Sequence, residues 1–446
     1  MSGRRIVVIV IAALVVVGAG VFAWIAFGPG AMDFAGGRTV ALRDYKGPVP
    51  TGVPADFATT DPIARGQYLT RAADCQACHT AKGCTPFAGC LAFKLPFGTI
   101  WSPNITPDRE TGIGGWSDAQ FLRAVRDGVG PKAHLYPAMP YASYTWMADA
   151  DALAIRAYLR TLQPARFQRP ENSFSFPFNQ RWLMSIWSKL FNPNRRFEPN
   201  IDRSPAWNRG AYLSEALGHC GECHTPRNLM QAVDNRHKYA GAVAAGWRAY
   251  NITGDKASGL GDWSDDAIAQ YLSQGHAPGH GTAAGPMGEA VDLSLRHLTR
   301  SDIAAMVTYL RSIPAVSTPD EPQPKADLAP ATHRLASADE AAPLGKKIFE
   351  GACVGCHAWN GQGALSGLAT LNGSRAVNDP TATNVAQVVL SGAARHTAQG
   401  QSVMPAFGHA YSDAEIAAVA NYVTARFGAK PSRVTPKQVA ALRKAT

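Results

Sequence analysis

With 446 residues, the chain is long enough for two to four domains that each bury their own core. Its 46% hydrophobic and 17% charged residues are ordinary for folded protein, while 42 glycines and 31 prolines indicate much loop. Lys and Arg outnumber Asp and Glu by 43 to 33, which gives a formal charge of +10. No nucleotide-binding loop, catalytic triad or carboxylate pair stands out, so the sequence assigns no catalytic residue.

The first 30 residues predict a membrane anchor. Arg4 and Arg5 precede an uncharged apolar run over 6–27. About 20 apolar residues span a bilayer, and the preceding arginines keep the N-terminus inside. A cleaved signal peptide, with Val17 and Ala19 before the cut, is the alternative. Both readings place the later domains on the periplasmic side of an inner membrane. Nucleic acid is therefore excluded as a partner, and the positive charge suits anionic lipid, an acidic protein or simply a solvated surface.

Six of the eight cysteines fall into three identical C-x-x-C-H frames, which predict covalent haem c attachment. Two thiols one helical turn apart reach the two vinyl groups of a porphyrin, and the next histidine ligates the iron. A zinc site would need the pairs close together, and a thioredoxin-like pair would not need the histidine. The frames are Cys75, Cys78 and His79; Cys220, Cys223 and His224; and Cys353, Cys356 and His357.

The two remaining cysteines, Cys84 and Cys90, lie six residues apart just after the first frame. In an oxidising compartment they are expected to form a disulfide that stiffens the loop beside the haem. Two free thiols are the alternative.

The frames head an internal repeat that predicts a mainly α fold of three tandem cytochrome c domains. A short helix precedes each frame, and amphipathic helices over 148–161, over 300–313 and from a capping box at Ser412 and Glu415 close the repeats. An Asn-Ile-Thr segment follows the first two frames at Asn104 and Asn251, but not the third. The expected domains are 58–163, 201–314 and 342–430.

Each repeat also offers a methionine as the distal iron ligand, the usual choice in this fold. Met139, Met287 and Met404 lie 60, 63 and 47 residues after the three haem histidines. A neighbouring proline is expected to hold each of these loops extended and away from helix. The rivals are Met147, Met230 and Met306, and the histidines His134, His276, His280 and His396.

Two connectors separate the domains. Residues 164–200 are aromatic and basic, and 180–191 predict a short amphipathic helix on a membrane, on a partner or over a haem domain. Residues 315–341 are rich in Pro and Ala and predict a semi-extended tether. That tether leads us to expect a more loosely held third domain.

The chain resembles the three-haem cytochrome c subunits of bacterial membrane-bound, quinone-reducing dehydrogenases that oxidise alcohols, aldehydes or gluconate. The resemblance covers about 61–427 and is carried by strings beginning at Pro96, Thr111, Tyr136, His224 and Ala284. It implies a large catalytic subunit with pyrroloquinoline quinone, flavin or molybdopterin, sometimes a small subunit, and ubiquinone as electron acceptor. The anchor and the Cys84/Cys90 pair depart from the pattern and favour an aldehyde-dehydrogenase or molybdenum-hydroxylase type.

Two other functions are open to a chain with three haems. A stand-alone carrier to a terminal oxidase would use the same haems. A peroxidase would need a haem without a sixth ligand, and the three methionines argue against it.

Overall fold

The computed structural model describes residues 3–27, 38–41, 61–95, 97–318, 338–340, 342–397 and 400–445. Parts of four predicted segments lie outside these residues: 1–2 and 28–30 of the anchor, 58–60 and 96 of the first domain, 319–337 and 341 of the second connector, and 398–399 of the third domain.

The described chain is mainly helical. The α-helices are α1 Gly3–Phe27, α2 Pro62–Ala72, α3 Cys75–His79, α4 Asp118–Leu122, α5 Tyr141–Tyr144, α6 Asp149–Leu159, α7 Leu183–Phe191, α8 Pro205–Ala211, α9 Gly221–His224, α10 Asp265–Gln274, α11 Gly285–Leu293, α12 Arg300–Arg311, α13 Pro343–Ala352, α14 Val354–His357, α15 Arg375–Asn378, α16 Thr383–Ser391, α17 Asp413–Phe427 and α18 Pro436–Ala445. Two π-helical turns, Arg123–Asp127 and Tyr212–Leu217, continue α4 and α8.

The strands are short and antiparallel. They are β1 Arg38–Ala41 with β5 Arg195–Glu198; β2 Ala92–Leu95, β3 Gly98–Trp101 and β4 Ser173–Phe174 in one sheet; β6 Ala242–Ala244 with β7 Trp247–Ala249; β8 His276–Ala277 with β9 Gly281–Thr282; and β10 Ala393–Thr397 with β11 Gly400–Met404.

Three helix pairs organise the molecule: α2 with α6, α8 with α12, and α13 with α17. We call the surrounding segments unit 1 (61–163), unit 2 (201–314) and unit 3 (342–430). Local signals set the helix starts, because proline, which lacks an N–H, opens α2, α8 and α13. The predicted capping box at Ser412 and Glu415 is confirmed at the start of α17.

A glycine lets the two helices of each pair touch. A Cβ added to Gly66, Gly210 or Gly345 would lie within 2.9 Å of a tyrosine Cβ on the closing helix and closer still to an alanine carbonyl oxygen. The three tyrosines are Tyr158, Tyr309 and Tyr422. The repeated glycines therefore mark one helix crossing used three times.

Units 1 and 2 share a single apolar core, whereas unit 3 has its own. The Tyr68 hydroxyl donates to Asp302 of unit 2 at 2.6 Å, and the Tyr212 hydroxyl donates to Asp151 of unit 1 at 2.7 Å. Each aspartate is also paired with an arginine of its own unit, Asp151 with Arg65 and Asp302 with Arg209. The two units are thus locked together by reciprocal contacts.

Unit 3 lacks the residues for that lock. Counting from the crossing glycine, Leu344 stands where units 1 and 2 have arginine, and the exposed Lys347 stands where they have tyrosine. Unit 3 nevertheless docks on unit 2 through polar contacts. Arg248 pairs with Asp379 at 3.2 Å, and Arg395 pairs with Asp292 at 3.0 Å. The expectation of a more loosely held third domain stays a prediction, because unit 3 has a core of its own and yet makes these charged contacts with unit 2.

Helix α1 is long and apolar enough to cross a membrane, although a signal sequence can have the same length and composition. The predicted connector helix is present as α7, and α1 lies against it. Trp187 and Phe191 of α7 are buried, whereas Trp182 and Ile186 are exposed. One face of α7 therefore packs over units 1 and 2, and the other remains open.

Candidate haem and electron-transfer site

The three C-x-x-C-H frames lie on single-turn helices directly after α2, α8 and α13. Cys75–His79 forms α3, while Cys220 and Cys353 cap α9 and α14. A helical turn places the two cysteines of a frame on one side, and the histidine closes the turn. The first helix of each repeat therefore leads into a single-turn helix that carries the frame.

Each frame histidine has its ring fixed by a backbone carbonyl. The Nδ1 atoms of His79, His224 and His357 donate to the carbonyl oxygens of Pro103, Tyr250 and Ala369, at 2.8, 2.6 and 2.6 Å. Because a carbonyl oxygen can only accept, Nδ1 carries the proton and Nε2 keeps its lone pair. This is the tautomer and orientation that an iron ligand needs.

In units 1 and 2 the accepting carbonyl belongs to the residue before the repeated Asn-Ile-Thr segment. Asn104 and Asn251 then pin this loop, and their side-chain amides donate to the carbonyls of Ala165 and Val316, each at 2.6 Å. The sequence repeat therefore encodes the hydrogen bond to the histidine. Unit 3 lacks the segment and uses Ala369 instead.

Burial sets the charge state of these groups. It lowers the pKa of His79, His224 and His357, against the opposing effect of the carbonyl hydrogen bonds, and so favours neutral imidazole. Burial likewise raises the pKa of the Cys75 and Cys220 thiols to about 12. Such apolar surroundings fit a macrocycle, and the donor set fits haem c.

The three candidate methionines are half-buried and pack against the cores of their units. Met139 lies in a bend just before α5, and Met404 ends β11, both outside helix as predicted. Met287 lies in the first turn of α11, so the prediction that its proline keeps it away from helix is wrong. Pro286 starts that helix because a missing N–H costs nothing in a first turn.

The rival methionines are less suitable. Met147 and Met306 are 1% exposed and belong to the core around the closing helices. Met230 is 44% exposed and lies in a turn after α9. Within the described residues, no group of three or more His, Cys, Asp or Glu side chains is arranged to hold a bare metal ion.

Contacts that sequence reasoning missed link the first two frames. The Tyr144 hydroxyl donates to the Ala73 carbonyl, two residues before Cys75, at 2.5 Å. The same ring meets the His219 ring edge-on, with centroids 5.5 Å apart, directly before Cys220. On the other side, α11 packs against α3. In units 1 and 2, the segment that contains or follows the candidate methionine therefore touches the frame of the other unit, which no local signal indicates.

The Cys84 and Cys90 sulfurs are in bonding contact, with their Cα atoms 6.6 Å apart, which suits a disulfide. The six frame cysteines are not joined to one another. The disulfide therefore involves the two cysteines outside the frames, as the sequence predicts.

Comparison with known proteins identifies the family. The cytochrome c family model matches residues 63–163 and 342–426. The gluconate 2-dehydrogenase cytochrome c subunit of Pantoea cypripedii is 39% identical over 413 residues, 87% of this chain and 91% of that protein. The fructose dehydrogenase cytochrome subunit of Gluconobacter japonicus is 37% identical over 85% of this chain and 82% of that protein. The chain belongs to the family of cytochrome c subunits of bacterial dehydrogenases.

This membership implies covalently bound haem c and a role in electron transfer from a dehydrogenase. Another relative is a nicotinate dehydrogenase subunit of Pseudomonas putida, 42% identical over 380 residues and 83% of this chain. The chain spans about a third, 31%, of the length of that relative. The same kind of sequence therefore also occurs within a longer protein.

Proposed function

We propose that this chain carries three haems c, one in each of three tandem cytochrome c domains, and passes electrons from a partner dehydrogenase to ubiquinone. The observation that carries the proposal is the threefold constellation: a C-x-x-C-H turn whose histidine donates Nδ1–H to a backbone carbonyl. Unit 2 has this constellation and the glycine crossing, although the family model matches only the other two units.

The residues that would hold the haems follow from the three frames. Cys75 and Cys78, Cys220 and Cys223, and Cys353 and Cys356 would form the thioethers, and His79 and Met139, His224 and Met287, and His357 and Met404 would ligate the iron. When bound, haem supplies one-electron redox chemistry, and methionine raises its potential relative to a second histidine. The chain fixes the imidazoles, supplies the thioethers and excludes water.

The partner is a large dehydrogenase subunit, accompanied by a small subunit where the complex has one. The relatives named for gluconate, fructose, alcohol and nicotinate dehydrogenases support this proposal. We favour aldehyde or alcohol oxidation, with pyrroloquinoline quinone, flavin or molybdopterin in the partner. The chain itself contributes electron transfer rather than substrate oxidation.

We place the chain at the periplasmic face of the inner membrane, held by α1. The open face of α7 beside α1, with Trp182, Ile186 and the exposed Lys189, has the aromatic and basic character of a membrane surface segment. Carbonate-washed membranes that retain the chain with its 6–27 peptide intact would support the anchor. A soluble chain that begins shortly after Ala19 would instead establish a cleaved signal peptide.

The first experiment is purification from native membranes in mild detergent, with mass spectrometry of the associated proteins and a haem count. A stoichiometric large dehydrogenase subunit and three haems per chain are expected, and ubiquinone should be reduced when the complex receives substrate. A solitary three-haem chain that reduces a terminal oxidase would favour the alternative function, a stand-alone carrier.

The axial ligands can be tested one at a time. Met139→Leu, Met287→Leu and Met404→Leu should each leave one haem without its thioether and lower its midpoint potential. Resonance Raman and spectroelectrochemistry would detect this change. Met147→Leu and Met306→Leu are matched controls in the core and should leave all three haems six-coordinate. A control variant that loses a ligand would reassign it.

A further inference from the structure

An arginine of unit 3 reaches into the second haem site. Arg375 opens α15, is 8% exposed and donates to the carbonyls of Asn251 and Ser258 in unit 2. Its guanidinium lies over the Tyr250 ring, 4.7 Å from the ring centroid. A charged group from one unit is thus buried in the loop of another.

That loop is the one that fixes the second haem histidine. The Tyr250 carbonyl accepts from His224 Nδ1 at 2.6 Å, and the Tyr250 hydroxyl donates to Asp379 of unit 3 at 3.3 Å. Arg375 therefore touches the ring of the residue that orients His224 and the backbone on its far side. Ligand orientation at His224 depends on unit 3 through these contacts.

The charge of Arg375 has a definite consequence for electron transfer. An iron porphyrin loses one positive charge on reduction, so a fixed cation nearby disfavours the oxidised form more than the reduced form. The burial of Arg375 strengthens this effect, because little water screens the charge. Arg375 donates to the neutral carbonyls of Asn251 and Ser258, and its charge also helps to lower the pKa of Asp255, after the hydrogen bonds from Ser258. Arg395, which donates to the Gly288 carbonyl at 2.6 Å beside Met287, forms an ion pair with Asp292.

Unit 1 provides an internal comparison. Its equivalent loop runs from Pro103 to Thr111 and is pinned by the same kind of asparagine contact. Among the described residues, no arginine donates to the Asn104 or Thr111 carbonyl. Of these two loops, the one that fixes His224 in unit 2 therefore binds an arginine, and the one in unit 1 does not.

We propose that Arg375 is a positioning residue of the second haem site, which raises the reduction potential of the haem bound at His224 and couples it to the docking of unit 3. The inference rests on the proposed function, since it requires a haem in unit 2. It makes unit 3 part of the environment that sets the order of the haems along the electron path.

The test is spectroelectrochemical titration of the complete chain, after a haem count and a spectrum of each variant. In Arg375→Gln, one of three midpoints should fall, with an oxidised-to-reduced ratio about tenfold higher at fixed potential, or about 59 mV for one electron. Arg375→Lys keeps the charge and should recover most of the midpoint. The control Asn384→Ala removes neutral hydrogen bonds to Arg248 at the same interface and should move no midpoint.

A second variant removes a negative charge, so its midpoint should shift in the opposite direction. It tests the proposal even if Arg375→Gln does not accumulate. Asp379→Asn removes a buried negative charge beside Tyr250, so the same midpoint should rise. Unchanged midpoints in either charge variant, or an equal shift in Asn384→Ala, would overturn the inference. A wild-type chain without three haems would instead refute the proposed function.

Discussion

The glycine at the helix crossing of unit 3 gives a sharp test of the packing. A Cβ on Gly345 would lie 2.6 Å from the Tyr422 Cβ and closer to the Ala418 carbonyl oxygen. An ordinary contact needs 3.4 Å, so the Tyr422 Cβ alone would have to retreat by roughly 0.8 Å. Neither the carbonyl nor a Cβ can rotate away. Gly345→Ala must therefore push α13 and α17 apart.

The expected cost follows from two opposing effects. Overpacking of this kind costs about 1–3 kcal/mol and occasionally more, and alanine returns up to about 1 kcal/mol of helix propensity. Because the clash is with a backbone oxygen and a Cβ, the upper end of the overpacking range applies, and we expect a net loss of about 2 kcal/mol in unit 3. Gly351, in the same helix, is a matched control, since a Cβ there would meet nothing within 4 Å. Gly351→Ala should gain up to about 1 kcal/mol.

Native-state proteolysis of the complete chain, with cleavage sites mapped by mass spectrometry, reports unit 3 separately from the others. The expected loss should speed cleavage within 342–430 about 30-fold in Gly345→Ala, whereas Gly351→Ala should slow it by up to about fivefold. Equal cleavage of Gly345→Ala and the unmodified chain would refute the crossing. Equal acceleration in both variants would point to a general effect of alanine in α13.

Two further predictions concern stability. Tyr68→Phe and Tyr212→Phe should each lower the free energy of unfolding of units 1 and 2, measured in urea, by roughly 1.5–3 kcal/mol, because each hydroxyl donates to a buried carboxylate. The control Lys347→Ala, at the matching position of unit 3, should cost little. Clearly unequal losses in the two tyrosine variants would contradict the reciprocal contacts. Burial tends to raise the pKa of Asp339, but hydrogen bonds from Tyr422 and Lys346, with the Arg426 charge, hold it below its usual value. Its contribution to stability is therefore present above the unfolded pKa and is lost as pH falls through the folded pKa. Asp339→Asn should accordingly be less stable than the unmodified chain at neutral pH and equal to it in acid, as thermal melts across pH would measure.

Local signals explain what could be predicted from the sequence. The capping box at Ser412 and Glu415 and the apolar spacing of the closing helices each act within one or two turns, and both produce helices as expected. The repeated Asn-Ile-Thr segment is visible in the sequence, but its structural role is not. Its role is visible only when the carbonyl before it is found on a histidine 24 or 26 residues earlier.

Contacts between units could not be predicted in the same way, because each side looks ordinary alone. Arg65 and Tyr68 resemble Arg209 and Tyr212 in sequence, but nothing local says that each tyrosine reaches the aspartate of the other unit. In unit 3, Leu344 and Lys347 stand in place of the arginine and the tyrosine. This difference is the one sequence signal that unit 3 takes no part in the reciprocal contacts.

The connector before unit 3 shows what amino-acid composition can and cannot indicate. A run of Pro and Ala describes the path of the chain between two units, not the affinity of the units for each other. Docking depends on residues of unit 3 that are buried against unit 2, and Arg375 and Arg395 are 8% and 6% exposed. Arginine is rarely buried without a partner, so its burial here requires the acceptors that unit 2 provides. The electrostatic environment of the second haem site is consequently completed by a unit that lies more than 100 residues further along the chain.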